Sequence, residues 1–191
     1  MEIWSRRVVP GVVVVALGAS LAVVSAVGVA ASSAAGTSPY CGQVWGSLAE
    51  RDEDLSSAVV DDVRAGRHAC FDRLVVDLRG DVAGYSVGYV RAVRSDGSGD
   101  VVAVRGGARL QVTVNAPAHD ASYRPTYVPA DRRQLVDVAG WRTFRQVAWA
   151  GSYEGYTSLG LGVRARLPFR VFVLDGPGDG SRLVVDVAHR W

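Results

Sequence analysis

The sequence predicts an all-β domain, either a β-sandwich or an open β-barrel-like sheet, that follows an N-terminal signal or anchor helix. Three observations support this fold class. The chain opens with a basic and then apolar segment, valine and leucine alternate with polar residues over much of the remainder, and turn signals rich in Gly and Asp separate these runs. Alternation with a period of two is typical of half-buried strands, and many short strands separated by turns indicate a sandwich or barrel.

Residues 1–35 have the organisation of a secretory signal peptide. Arg6 and Arg7 precede an uncharged apolar stretch, 8–31, which ends in small residues suited to signal-peptidase cleavage. This stretch is also long enough to span a bilayer, so an uncleaved membrane anchor is the alternative. Both interpretations place the rest of the chain outside the cytoplasmic membrane. The arginine pair partly matches a twin-arginine signal, which leaves two export routes open. We expect this segment to engage the membrane and the export machinery.

Residues 36–55 are mostly small and polar, and we expect a linker with one short helical turn. The segment 47–50, Ser-Leu-Ala-Glu, has the form of a capping box. Cys41 in the linker and Cys70 in the following domain are the only cysteines, and a disulfide is their expected state in an oxidising compartment. This bridge would staple the linker to the domain. His68 raises the alternative of a metal site, but metal sites need three or four ligands, so we expect none.

The predicted β domain occupies residues 56–191. Its expected strands are 59–63, 73–78, 86–93, 101–104, 110–114, 135–139, 143–153, 158–163, 169–174 and 182–188. The Gly-Gly pair at 106–107 predicts a hairpin between the strands on either side of it. Three prolines interrupt the segment 115–133, which we interpret as an ordered surface loop. The strands 73–78 and 182–187 have nearly the same sequence, so they either pair or occupy equivalent places in two sheets.

Composition and motifs argue against nucleic-acid binding and catalysis. The formal net charge of the 191-residue chain is only +2, which provides no basic surface for nucleic acid. The sequence contains no Gly-x-Ser-x-Gly elbow, no His-Glu-x-x-His motif and no glycine-rich phosphate loop. We therefore expect no enzymatic activity and no cofactor. A pair of carboxylates brought together by the fold would leave no motif, so an envelope hydrolase is retained as a lesser alternative.

Aromatic residues and glycines are concentrated between residues 141 and 162, which is the candidate binding region. Aromatic rings beside hydrogen-bonding groups suit sugar rings or a protein partner. Phe144 and Trp149 lie in strand-like runs and are expected to pack inward. The candidate binding residues are Tyr153, Tyr156, Trp141, Arg164 and Arg170, the two arginines either as ligands of a carboxylate or phosphate or as part of a solvated face. Glycines at 160 and 162 indicate a bulge or the close approach of another backbone.

Several segments resemble the AMIN-like domain of exported actinobacterial proteins. They are RHACFDRLVVDL (67–78), GYSVGYV (84–90), DGSG (96–99), GLGVR (160–164), PFRV (168–171) and VDVAHRW (185–191). The resemblance covers most of residues 56–191. Through distant similarity to the AMIN domains of amidases and secretins, it implies a β-sandwich that targets or binds in the cell envelope, with peptidoglycan as a ligand. It implies no catalytic residues.

These observations lead to the hypothesis of a non-enzymatic, extracytoplasmic binding or targeting module. The protein would be secreted or held at the outer face of the cytoplasmic membrane, and its partner would be cell-wall glycan or peptidoglycan. The alternative is a protein-interaction or inhibitor domain, with an envelope protein as its partner and the loop 115–133 as its contact surface.

Overall fold

The computed structural model describes residues 39–55, 57–81, 84–176 and 178–191. The predicted signal or anchor segment, 1–35, lies outside the described residues. Regular structure in the described part consists of one 3₁₀ turn and eleven strands, so the all-β prediction is confirmed. None of the described residues belongs to a helix with the length and apolar character needed to cross a bilayer.

The 3₁₀ turn is Tyr40–Gly42. The strands are β1 (Glu50–Asp52), β2 (Val59–Arg67), β3 (Phe71–Arg79), β4 (Tyr85–Tyr89), β5 (Val93–Arg94), β6 (Val101–Val102), β7 (Ala108–Val114), β8 (Phe144–Tyr153), β9 (Tyr156–Val163), β10 (Phe169–Asp175) and β11 (Gly180–Ala188).

Two antiparallel sheets form the domain. One has the strand order β10-β11-β3-β2, the other has the order β1-β4-β7-β9-β8, and β5 and β6 pair separately. Alternate residues of both large sheets enter one continuous hydrophobic core, as expected when the inner faces of two sheets pack together. The largest fully buried side chains of this core are Phe144, Phe169, Leu74, Leu110, Leu159, Leu161 and Leu183. The domain is therefore a β-sandwich.

The two strands with nearly the same sequence lie side by side. β3 and β11 form the centre of the four-stranded sheet, and their register pairs Val75 with Val184 and Arg73 with Asp186. Of the two arrangements that the sequence allows, the structure shows direct pairing. The Arg73–Asp186 pair lies on the outer face of the sheet, because the neighbouring leucines and valines point into the core.

The region between β4 and β7 differs from the prediction. The strand predicted over 86–93 ends at Tyr89, and the hairpin predicted between 101–104 and 110–114 does not form. Instead β6 pairs with β5, while β7 pairs with β4 and β9. Residues 90–107, which we call the excursion, cross the outer face of the five-stranded sheet. There Val93 and Val104 are buried against Ala148 and Ala150, and this burial favours the excursion over the local hairpin.

Two glycines of β9 make room for the excursion. A Cβ atom on Gly162 would lie 1.9 Å from the carbonyl oxygen of Arg105, and one on Gly160 would lie 2.7 Å from a methyl carbon of Val104. The leucines that alternate with them face the core. The Leu-Gly alternation in 159–162 thus reflects a strand with side chains packed on one face and another backbone packed on the other. The predicted close approach is confirmed.

The helical turn predicted over 47–50 is wrong. Gly46 forms an isolated bridge with Phe169, and β1, which begins at Glu50, pairs with β4. One helical turn fixes several residues for a single hydrogen bond, so extended pairing to existing strands is the better solution here.

The strand predicted over 135–139 is also wrong. Leu135 donates a backbone hydrogen bond to Val147 of β8, but the chain then turns, and the carboxylate of Asp137 accepts the N–H of Ala139. This Asx turn competes with strand geometry. The preceding segment, 115–133, contains no strand, in agreement with the predicted loop.

Candidate functional site

A disulfide fixes the segment before β1 to the domain. Cys41 lies in the 3₁₀ turn and is bonded to Cys70, just before β3, as predicted. Further along, the N–H of Gly46 donates to the carbonyl of Phe169 (3.0 Å), and the N–H of Phe169 donates to the carbonyl of Gly46 (2.7 Å). Residues 39–49 are therefore attached at two points and form part of the sandwich surface.

Three aromatic side chains line a surface groove beside the disulfide. Tyr40 and Trp45 belong to the attached segment, and Trp191 follows β11. The groove has a volume of about 710 Å³ and is also lined by Gln43 and Arg190. Its volume is in the range of small-ligand sites in proteins. We call this site the aromatic groove.

Hydrogen bonds and a cation–π contact position the rings of the aromatic groove. The indole N–H of Trp45 donates to the carbonyl of Tyr40 (2.8 Å), and that of Trp191 donates to the carbonyl of Arg166 (3.1 Å). The guanidinium carbon of Arg190 lies 4.7 Å from the centre of the Tyr40 ring. Trp191 is 70% exposed. The Trp191 ring thus stays largely open to solvent although its indole N–H is hydrogen-bonded within the protein.

An ion-pair network of the four-stranded sheet supports Trp45. Arg73 and Arg170 each donate two hydrogen bonds to the carboxylate of Asp186, at 2.6 to 2.9 Å, and this carboxylate is fully buried. Arg170 continues outward: it donates to the side chain of Gln43, and its guanidinium carbon lies 5.3 Å from the centre of the Trp45 ring. The network therefore connects the sheet to two residues of the aromatic groove.

The other side of the aromatic groove is fixed by the residue that follows β11. His189 is buried, and its ring makes hydrogen bonds with the hydroxyl of Thr143 (2.9 Å) and the carbonyl of His68 (3.0 Å). Arg164 donates to the backbone carbonyl of His189. These contacts set the direction in which the chain continues to Trp191.

The five binding residues predicted from the sequence do not form one site. Arg164 and Arg170 support the aromatic groove, and both side chains donate to acceptors within the protein. Tyr153 and Tyr156 are paired across the turn between β8 and β9. This turn lies at the opposite end of β9 from Arg164, roughly 26 Å away along an extended chain.

Trp141 lies neither in the aromatic groove nor at the β8–β9 turn. Its ring stacks on that of Phe144 with 5.9 Å between the ring centres, and Phe144 is fully buried as predicted. Trp149 also packs against the core, as predicted, with its ring centre 5.7 Å from that of Tyr127. Trp141 lines a pocket together with Arg145.

Tyr153 and Tyr156 are half exposed, at 53% and 44%, beside a partly buried carboxylate. Asp96 accepts a hydrogen bond from the hydroxyl of Ser158 (2.8 Å) through one oxygen, while its other oxygen is buried and has no partner among the described residues. Burial raises the pKa of Asp96, and the Ser158 hydrogen bonds lower it by less. The ring of Tyr153 packs over Gly97, which follows Asp96 in the turn between β5 and β6.

The aromatic residues that line the aromatic groove are not among the binding residues predicted from the sequence. Tyr40, Trp45 and Trp191 lie outside the strand pattern and come from both ends of the domain. The available signal was the presence of Tyr40 and Trp45 on either side of Cys41 in a segment that is otherwise small and polar. A predicted disulfide at this cysteine already implied that these rings would lie on the domain surface.

Acidic side chains share a pocket on the outer face of the four-stranded sheet. They are Asp61, Asp62, Asp77 and Asp179. Two of them are ion-paired, Asp61 with Arg79 (2.9 Å) and Asp77 with Arg64 (2.5 Å). Across the described part of the chain, no three His, Cys, Asp or Glu side chains converge as a metal site would require.

The fold and the aromatic groove define a disulfide-stapled antiparallel β-sandwich with an aromatic surface groove. Residues 58–189 match the family model of the AMIN-like domain, and the chain belongs to this family. No curated protein and no solved structure matches the chain. Family membership and the disulfide fit an exported protein, and they are consistent with a module that binds in the cell envelope. The residues that line the aromatic groove mostly flank the matched region.

Proposed function

We propose that this protein is a non-enzymatic binding module of the bacterial cell envelope that binds peptidoglycan through the aromatic groove. The observation that supports this most is the set of rings that line the groove, with Trp191 exposed and Tyr40 and Trp45 partly exposed, beside the side-chain donors of Gln43 and Arg190. Membership of the AMIN-like family supports an envelope ligand. The disulfide supports an extracytoplasmic location, either secreted or anchored at the outer face of the cytoplasmic membrane.

The composition of the aromatic groove suits a glycan that carries acidic peptides. Sugar rings have apolar faces that pack against indole and phenol rings, while their hydroxyl groups require hydrogen-bonding partners. The side-chain N–H groups of Gln43 provide donors, since its oxygen accepts from Arg170, and the guanidinium of Arg190 can pair with a carboxylate of the peptide stem. Each chemical part of peptidoglycan thus has a matching group in the aromatic groove.

The rigidity of the aromatic groove favours binding. The disulfide, the Gly46–Phe169 hydrogen bonds and the Arg170–Gln43 contact hold the rings before a ligand arrives. A preformed site loses less conformational entropy on binding than a mobile one, so more of the interaction energy appears as affinity.

Binding without catalysis is the mode of action that we propose. The acidic pocket on the four-stranded sheet groups Asp61, Asp62, Asp77 and Asp179, and Asp61 and Asp77 are committed to salt bridges with arginines. Incubation of the protein with peptidoglycan should therefore release no soluble fragments. Release that is lost on substitution of Asp62 or Asp179 would instead identify a hydrolase.

The test is co-sedimentation of the full chain with purified sacculi. Trp191→Ala should reduce the affinity about tenfold, because this ring is exposed and its loss removes a central contact without disturbing the core. The matched control is Tyr153→Ala/Tyr156→Ala, which removes half-exposed aromatic rings at the other end of β9. Loss of binding only in this control would move the site to the β8–β9 turn. Absence of binding by the unmodified protein would refute the proposal.

A second candidate function is supported by the loop 115–133. Tyr123 is 82% exposed and Val128 is 74% exposed. The carboxylate of Asp120 accepts the backbone N–H groups of Ser122 and Arg124, which fixes the loop and presents the Tyr123 ring to solvent. We propose that an envelope protein would bind here. A photo-crosslinking residue at position 123 should then capture one protein in intact cells, and a crosslinker at Arg51 should not. Equal capture at both positions would contradict this candidate.

A further inference from the structure

A strongly basic cleft lies on the outer face of the five-stranded sheet, between the excursion and the segment 131–134. Four arginines line it, Arg91, Arg105, Arg109 and Arg133, together with a single acidic residue, Asp131. Its volume is about 710 Å³, and it shares no lining residue with the aromatic groove. We call it the arginine cleft. Its positive charge is concentrated locally, since the whole chain has a formal net charge of only +2.

One buried side chain fixes both walls of the arginine cleft. The side-chain oxygen of Gln146, on β8, accepts the backbone N–H of Arg105 in the excursion (2.7 Å). The amide of Gln146 donates to the backbone carbonyl of Arg133 in the opposite wall (2.6 Å). The second wall is also hydrogen-bonded to β8 through the N–H of Trp149 and the carbonyl of Arg132 (2.8 Å). Both walls of the arginine cleft are therefore fixed to β8 by hydrogen bonds.

Two of the arginines are held in place within the protein. Arg105 donates to the side chains of Gln146 (3.3 Å) and Gln134 (3.2 Å), and Nε of Arg109 donates to the carbonyl of Val104 (2.8 Å). All of these acceptors are neutral, so both positive charges remain uncompensated. Since an arginine carries five N–H donors, each side chain keeps donors that these contacts do not use.

The other two arginines are unpaired within the described part of the chain. Arg91 and Arg133 are exposed, and neither side chain has a hydrogen bond or salt bridge to a described residue. The carboxylate of Asp131, the acidic residue of the lining, accepts the backbone N–H of Arg133 (2.7 Å). The lining of the arginine cleft thus contains four arginines and one aspartate.

We infer that the arginine cleft binds a small multivalent oxyanion, a ligand with two or more phosphate or carboxylate groups. Like charges held close together repel one another, and an anion that bridges them removes this repulsion. The planar guanidinium fork pairs with the two oxygens of a carboxylate or phosphate, which lysine cannot do in the same way. This site is separate from the aromatic groove, so the inference does not depend on peptidoglycan binding.

The inference is tested by calorimetric titration of the full chain with pyrophosphate and with citrate, at constant ionic strength. One molecule should bind per chain, and Arg91→Ala/Arg133→Ala should weaken binding about tenfold or more, because each lost guanidinium removes charge-assisted hydrogen bonds. Both side chains are exposed, so the variant should unfold at the same temperature as the unmodified protein.

The matched control is Arg51→Ala/Arg142→Ala, which removes the same charge from two exposed arginines outside the arginine cleft. This control should bind with unchanged affinity. Binding of pyrophosphate alone would identify a phosphate ligand, and binding of citrate alone would identify a carboxylate ligand. The inference is overturned if neither anion binds, or if both double variants lose affinity equally, which would show attraction to net charge only.

Discussion

Arg170 and Asp186 lie directly opposite one another on β10 and β11, where the guanidinium of Arg170 donates two hydrogen bonds to a fully buried carboxylate. Asp186 also accepts two hydrogen bonds from Arg73 on its other side. One carboxylate therefore holds two arginines, and one of these supports Trp45 and Gln43. This relationship links the stability of the sheet to the shape of the aromatic groove.

Asp186→Asn should strongly destabilise the protein. The substitution leaves two partly buried guanidinium groups without a counter-charge, and breaking such a buried pair costs about 3–5 kcal/mol in the free energy of unfolding. Urea denaturation measures this loss. The control is Asp77→Asn in the Arg64–Asp77 pair, where Arg64 is half exposed and the expected cost is below about 1 kcal/mol. Equal costs for the two variants would contradict the role of Asp186.

Removal of the disulfide should affect both stability and binding. Cys41 and Cys70 are 29 residues apart in sequence, and a loop of that length corresponds to about 3–4 kcal/mol of stabilisation. Cys41→Ser/Cys70→Ser should lower the free energy of unfolding by this amount and release Tyr40 from the aromatic groove. Denaturation and sacculus co-sedimentation measure the two effects. A variant that is less stable but binds sacculi normally would show that the attached segment takes no part in binding.

Gly162→Ala should destabilise the packing of the excursion on β9. The added methyl group would overlap the backbone carbonyl of Arg105, and overpacking of this kind costs about 1–3 kcal/mol. The control is Gly66→Ala on β2, where the nearest atom would lie 3.7 Å away. That variant should be as stable as the unmodified protein or slightly more so, because alanine restricts the unfolded chain. Thermal unfolding of both variants decides the point.

The pH dependence of stability should report on Asp96. Burial raises the pKa of its carboxyl, so the folded state binds this proton more tightly than the unfolded state does. Stability from this group is therefore lost as the pH rises from about 3.9, the ordinary value, through the raised one. Asp96→Asn cannot titrate. The stability of the variant relative to that of the unmodified protein should therefore increase as the pH rises above about 3.9. A difference that stays constant with pH would contradict the assignment.

Strands with regular alternation could be predicted from the sequence, and the excursion could not. The strands β3, β7, β8, β9, β10 and β11 follow the period of two and were located to within a few residues. The segment 101–104 has the same pattern beside a Gly-Gly pair, which predicts a local hairpin. Its actual partners are β5, across the short turn at residues 95–100, and the alanines of β8, and the packing on these alanines, which are distant in sequence, leaves no local signal.

The candidate site was only partly predictable, for a similar reason. Arg164 and Arg170 are among the predicted candidates. Arg164 donates to the carbonyl of His189 and Arg170 donates to the side chain of Gln43, but the rings of the aromatic groove are not among the candidates. Tyr40 and Trp191 are 151 positions apart in the chain. They come together only because the disulfide attaches Cys41 to the end of the sandwich at which β11 terminates. The local density of aromatic residues favours 141–162 over isolated rings beside a cysteine.

The most direct test of the proposed function is hydroxyl-radical footprinting of the full chain, read residue by residue by mass spectrometry, with and without soluble peptidoglycan fragments. We expect the fragments to protect Tyr40, Trp45 and Trp191, while the labelling of Tyr153 and Tyr156 stays unchanged. Protection of Tyr153 and Tyr156 alone, or of none of these rings at saturating fragment concentration, would contradict the proposed function.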